Sequence, residues 1–296
     1  MHSTYVFCCF ANSLHYNNGL KVHSIIICKM LRNKTKIGAY IDFMSVKNIQ
    51  KVVLVWDSGV GGLSILDGLV QNLGRCKYVY YADIDNAPYG NKSVEDLRVL
   101  VLPKLKLVVK KYNPDCIVLA CNTITASLVQ DIRCECSDVM VVGTEPAIKP
   151  ALSMGKDVLL MMTPTTFGNC ELVDLLRNSE LNSYWILDKN LAMVIQNNLE
   201  NKNYIKAYLQ KLIGKYRNRE MVVVLGCTHY VLVKDIIREI LGKKVIILDS
   251  TQGVTNRVKK LLDIIGSDKS GSVEIVGNDL IKKIWDMLRG SKICVE

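Results

Sequence analysis

Ile117-Val118-Leu119-Ala120-Cys121-Asn122-Thr123 and Val223-Val224-Leu225-Gly226-Cys227-Thr228-His229 follow one scheme: an apolar run, a small residue, a cysteine and a polar residue. Both runs are short, rich in Val, Ile and Leu, and free of polar alternation, which predicts strands buried on both faces. A helical pattern follows each cysteine. The two cysteines lie 106 residues apart, about one small domain. A strand, turn and helix unit that recurs at this distance predicts two related α/β lobes.

The same alternation extends outward. Val52–Trp56 is an apolar run followed by Asp57-Ser58-Gly59-Val60-Gly61-Gly62 and a helical pattern through Leu63, Leu66, Leu69, Val70 and Leu73. Further strands are predicted at Tyr78–Tyr81, Val139–Val142, Val158–Met161, Val222–Leu225 and Val245–Leu248. Ser93-x-x-Asp96 has the spacing of a helix N-cap before a long apolar-periodic stretch that ends at Asn113-Pro114. Pro103 inside it predicts a kink or two helices. The expected fold is α/β: two pseudo-symmetric lobes, each a mostly parallel sheet covered by helices, with the active site in the cleft between them. Residues 51–145 with 251–296 are expected to form the first lobe and 146–250 the second, after an N-terminal extension over 1–50.

The chain has 296 residues, 49% hydrophobic and 22% charged, and no apolar run approaches the ~18 residues needed to span a bilayer. Residues 1–50 hold six of the 38 Lys and Arg but only Asp42 among the 28 acids, so the net charge of +10 falls to +5 beyond them. That stretch has no secretory pattern. It reads as a basic tail or as the product of a start codon placed upstream of Met44 or Met30, with an Arg-poor organelle-targeting peptide as the alternative. Eleven cysteines without a secretory signal are expected to be reduced thiols in the cytoplasm. Of four histidines only His229 lies beyond residue 50. Sites that need two nearby histidines are therefore excluded from the globular part, and no metal is expected.

Chemistry then falls to the thiols. A cysteine directly after a strand of an open α/β sheet lies at the ligand-binding edge and at a helix N-terminus, where donors favour thiolate and lower the pKa from about 8.5. A single cysteine there is usually packing; two in matching contexts, on lobes that face each other, suit proton removal on one side of a molecule and return on the other. Asp57–Gly62 matches neither a phosphate loop nor a dinucleotide fingerprint. It fits a glycine turn whose N–H groups approach a carboxylate, with Ser58 as a donor and Asp57 able to hold an ammonium or orient a thiol. Tyr89 sits in a turn-rich loop. His229 is the one imidazole able to tune a thiol near neutral pH.

Together these motifs resemble the glutamate racemases, within the aspartate/glutamate racemase superfamily. The resemblance rests on Asp57-Ser58-Gly59-Val60-Gly61-Gly62, Pro88-Tyr89-Gly90-Asn91-Lys92-Ser93, Ala120-Cys121-Asn122-Thr123, Thr163-x-x-Thr166, Gly226-Cys227-Thr228-His229-Tyr230 and Leu248-Asp249-Ser250, in order across about residues 51–265. It implies a cofactor-independent racemase that makes D-glutamate for peptidoglycan. Cys121 and Cys227 would be the proton donor and acceptor, assisted by Asp57 and His229. Asp57, Ser58, Tyr89, Gly90, Asn122, Thr123, Thr228 and His229 would contact glutamate. One departure stands out: the family's glutamate near His229 corresponds to Gln196, whose neutral amide cannot stabilise an imidazolium as a carboxylate does. An aspartate racemase, or a binding protein with structural cysteines, is the alternative. Lys104, Lys106, Lys110 and Lys111 read as a solvated helix face, so no nucleic-acid partner is expected; with no apolar span no membrane partner is expected either, and a homodimer is left open.

Overall fold

The computed structural model describes residues 50–73, 76–264 and 271–290. The expectations for the N-terminal extension fall on residues 1–49, outside the described residues. From Gln50 onward the chain forms one compact unit built on two parallel sheets.

The first sheet has the order β4-β3-β1-β2-β9, with β1 at Lys51–Asp57, β2 at Cys76–Ala82, β3 at Cys116–Leu119, β4 at Met140–Gly143 and β9 at Ser272–Val276. The second has the order β6-β5-β7-β8, with β5 at Val158–Met162, β6 at Ser183–Leu187, β7 at Met221–Gly226 and β8 at Val245–Leu248. All pairings are parallel.

Alternate residues of the central strands feed separate cores, which is why these strands read as continuous apolar runs. Val53 and Val55 pack with Leu63, Leu66 and Leu69 of α1 (Leu63–Asn72) on one face. Leu54 and Trp56 pack on the other with Leu97 and Val101 of α2 (Val94–Tyr112) and Ile124 and Leu128 of α3 (Asn122–Glu135). Each sheet is thus covered on both sides, and a parallel sheet left open would expose one of these apolar faces.

The seven strands predicted from the sequence all form, within two residues at either end. β6 and β9 were not predicted. Both are short edge strands, half-buried along most of their length, so neither carries the all-apolar signature of a central strand. Ser93 caps α2, its Oγ accepting from the Asp96 N–H at 3.1 Å, and the helix ends at Asn113 with a left-handed φ of 44°. Pro103 does not divide α2: one helix of 19 residues runs through it. The carbonyl that Pro103 cannot satisfy belongs to Val99, and both residues lie on the solvent face, where that carbonyl is open to solvent.

Candidate active site

Strand order places the site. In the first sheet the chain winds outward in opposite directions from β1 and β3, and in the second from β5 and β7. The crevice at each reversal is where ligands bind in open α/β sheets. The β1 and β3 exits carry Asp57-Ser58 and Cys121, and the β5 and β7 exits carry Thr163 and Cys227.

Both cysteines have the same local geometry. Cys121 is the extended N-cap residue of α3, with φ −132° and ψ 122°; Cys227 is that of the short helix α9 (Thr228–Val231), with φ −148° and ψ 131°. Backbone N–H groups of Thr123 and Ile124 favour a Cys121 thiolate, as those of His229 and Tyr230 do for Cys227. Both thiols open into one narrow cavity of about 20 Å³, roughly the room for a single water. Ser58, Tyr89, Gly90, Thr123 and His229 share its wall.

The helix N-termini do not lower the thiol pKa values as the sequence suggested. Burial, reinforced by the Asp57 charge, pushes the Cys121 thiol up to about 12 despite those N–H groups and Ser58. Burial and the neighbouring Cys121 push the Cys227 thiol up as well. Desolvation of a buried anion outweighs two or three donors here, so the closed site holds neutral thiols. Ser58 Oγ lies 4.0 Å from Cys121 Sγ, and His229 Nδ1 lies 3.9 Å from Cys227 Sγ.

Gln196, on α7 (Leu191–Asn198), decides the state of His229. Its Oε1 accepts from the Val60 N–H at 3.3 Å, which sets the orientation of the amide. The same oxygen lies 3.2 Å from His229 Nε2. That nitrogen must therefore be the one bearing hydrogen, which leaves Nδ1 with a free lone pair toward Cys227. Burial pushes the His229 pKa down, opposed by the Asp57 charge, and so favours the neutral ring.

The remaining sequence candidates lie farther back. Asp57 is fully buried; its Oδ2 accepts from the N–H groups of Gly59 and Gly62, each at 3.0 Å, and from the Tyr80 hydroxyl at 3.2 Å. Its Oδ1 is buried without a partner among the described residues. Tyr89 lines the cavity, but its hydroxyl donates to Asp83 at 2.6 Å and accepts from Trp56 Nε1 at 3.3 Å, leaving its ring and backbone to the site. Asn122 donates to the Thr144 carbonyl at 2.9 Å and faces a separate cavity with Arg133 and Glu145. Thr228 lies against the backbone of Gly61.

Two groups were under-read in the sequence. Thr163 lines the cavity, and its hydroxyl joins those of Thr123 and Thr166 in a buried triangle with edges of 2.8 to 3.2 Å. The Thr163-x-x-Thr166 spacing after a strand was its signal. Lys189, Ala192 and Met193 also reach the wall, and no site role had been assigned to them from the sequence. Among the described residues no cluster could hold a metal, no helix is long and apolar enough to cross a membrane, and all seven cysteines are free.

The fold matches that of solved amino-acid racemases. An aspartate racemase from Picrophilus torridus superposes with a TM-score of 0.52 at 16% identity, covering 73% of this chain and 95% of that one. Escherichia coli glutamate racemase, solved in complex with L-glutamate and activator UDP-MurNAc-ala, superposes with a TM-score of 0.69 at 26% identity, covering 81% of this chain and 95% of that one. No family model matches the chain. The fold and these likenesses define a two-lobed α/β amino-acid racemase, an isomerase.

Sequence comparison narrows the class. Glutamate racemase from Clostridium novyi is 32% identical over 248 residues, which cover 79% of this chain and 95% of the relative. The chain belongs to the glutamate racemase family.

Proposed function

We propose that the chain interconverts L- and D-glutamate by two-base proton transfer at the α-carbon, with Cys121 and Cys227 as the paired acid and base. The observation that carries this reading is the shared cavity: two thiols, one from each sheet's strand exit, open into the same narrow space. One thiolate takes the α-proton while the other thiol delivers its proton to the opposite face, so the two cysteines exchange protonation states in each turnover. The reaction needs no redox partner, and this reading assigns it no cofactor.

The roles follow from position. Nδ1 of His229 is placed to accept the Cys227 proton, while Ser58 and the N–H groups of Thr123 and Ile124 stabilise charge on Cys121. The hydroxyls of Ser58, Thr123 and Thr163 and the Gly90 backbone are positioned to hold carboxylates, on which negative charge spreads in the transition state. The unpartnered Oδ1 of Asp57 is the acceptor available to an ammonium or to the Cys121 thiol. Asn122 and Thr228 contribute only if the lobes shift. The boundaries proposed for the lobes are 51–145 with 251–296, and 146–250. In a bacterium this activity supplies D-glutamate for peptidoglycan, work done in the cytoplasm.

The test is α-proton exchange in D₂O, with each glutamate enantiomer and then with aspartate. Cys121→Ser and Cys227→Ser should each lower racemisation by on the order of 10³-fold, as expected for loss of an essential acid or base. Full two-way racemisation in either variant would overturn the two-thiol assignment. Faster turnover of aspartate would move the substrate to the shorter acid.

A further inference from the structure

Among the described residues, the wall of the cavity between the two thiols includes a single charged residue. It holds no Asp or Glu, the thiols and His229 rest neutral, and Lys189 is its one cation. Lys189 forms no ion pair with the described residues. Its neighbour Asp188 is engaged elsewhere: Oδ1 accepts from the N–H groups of Asn190 at 2.8 Å and Leu191 at 2.7 Å, at the start of α7, and from the Tyr208 hydroxyl at 3.1 Å. The Lys189 carbonyl accepts from Asn91 Nδ2 of the facing lobe at 3.0 Å. These bonds fix the backbone on which the side chain is rooted and leave its ammonium uncommitted.

We propose that Lys189 selects glutamate over shorter acids by pairing its ammonium with the side-chain carboxylate of the substrate. The inference rests on the two-thiol reading, which places the α-carbon between Cys121 and Cys227. Both cysteines are buried, whereas Lys189 is exposed at the rim of the same cavity. The α-carboxylate is bonded to the reacting carbon and stays with it among the inner donors. The side-chain carboxylate of glutamate extends away along a chain of methylenes and can reach the rim; that of aspartate stops a methylene short. An ammonium on a flexible stem is a point charge suited to meet a carboxylate there. Glutamate is a net anion near neutral pH, so the pair also balances charge in a wall that offers no other cation. This carboxylate keeps its charge through the reaction. Its pair with Lys189 is therefore as strong in the ground state as in the transition state, and belongs in KM rather than kcat.

Steady-state racemisation by the full chain tests this, with glutamate as substrate and aspartate as substrate or competitive inhibitor. Lys189→Met should raise KM for glutamate about 10- to 100-fold, the usual worth of a charged hydrogen bond, with kcat within about threefold. The preference for glutamate over aspartate should fall by the same factor, and the rise of KM with salt that an exposed pair produces should flatten. Lys189→Arg keeps the charge and should stay within about threefold of wild type. The Asn91 bond is made to the backbone carbonyl, so both variants retain it, and their circular dichroism spectra should match wild type. An unchanged KM in Lys189→Met, an equal loss for both acids, or a loss in Lys189→Arg as large as in Lys189→Met would each overturn the proposal and leave the two-thiol reading standing. A wild type that exchanges no α-proton of glutamate would overturn both.

Discussion

His229 shows how much one neighbouring atom decides. The Val60 N–H fixes Gln196 Oε1 as an acceptor, Gln196 fixes the imidazole tautomer, and the tautomer aims a lone pair at Cys227. A carboxylate at position 196 would instead hold the ring protonated. Gln196→Glu should therefore raise the His229 pKa, by about one to two units for a charge in direct contact. The sign follows: the limb of the rate profile in which His229 must be neutral should move to higher pH, measured as kcat/KM against pH in both directions. An unchanged profile would remove Gln196 from the control of His229. The sequence revealed that Gln196 differs from the family pattern, but not that its amide is also held by a backbone N–H of the other lobe.

At the scale of elements, the loop from Asp57 to Gly62 joins β1 to α1 and also touches Gln196 and His229 of the other lobe. The sequence suggested a glycine turn that brings N–H groups to a substrate carboxylate. The structure gives two of those N–H groups, from Gly59 and Gly62, to Asp57 instead. The glycines have a further cause: a Cβ at Gly61 would stand 2.5 Å from His229 Nδ1, and one at Gly59 2.1 Å from Gln196 Oε1. Gly61→Ala should cost the closed arrangement about 1–3 kcal/mol by overpacking, seen as a roughly 10- to 100-fold loss in kcat/KM with the secondary structure intact. Wild-type kinetics in this variant would mean that turnover does not pass through this closed contact. The same scale separates legible from hidden elements. β5 and β7 announced themselves because both faces are buried, whereas β6 and β9 were silent because an edge strand tolerates polar and half-exposed residues.

For the whole molecule, a cavity with room for about one water is too small for an amino acid, so the proposed reaction requires the lobes to part for substrate to enter and to close again around it. In the proposed mechanism, closure would exclude water from the proton transfers and strengthen the contacts to the carboxylates. Among the described residues every strand, and every residue lining the cavity, lies between residues 51 and 276. A chain starting at Met44 should thus keep its melting temperature and racemase rate within about twofold, measured against the full chain; a larger loss would assign residues 1–43 a part in folding or catalysis.

The sequence by itself determined the alternating architecture, the pair of lobes and the two cysteines, because strand burial, glycine turns and strand-exit positions are local patterns that periodicity and spacing record. Only the tertiary structure decided which candidates share a cavity, that the thiols rest neutral, and that Gln196 sets the tautomer of His229. Those properties depend on desolvation and on hydrogen bonds between residues up to 136 positions apart, which no local pattern encodes.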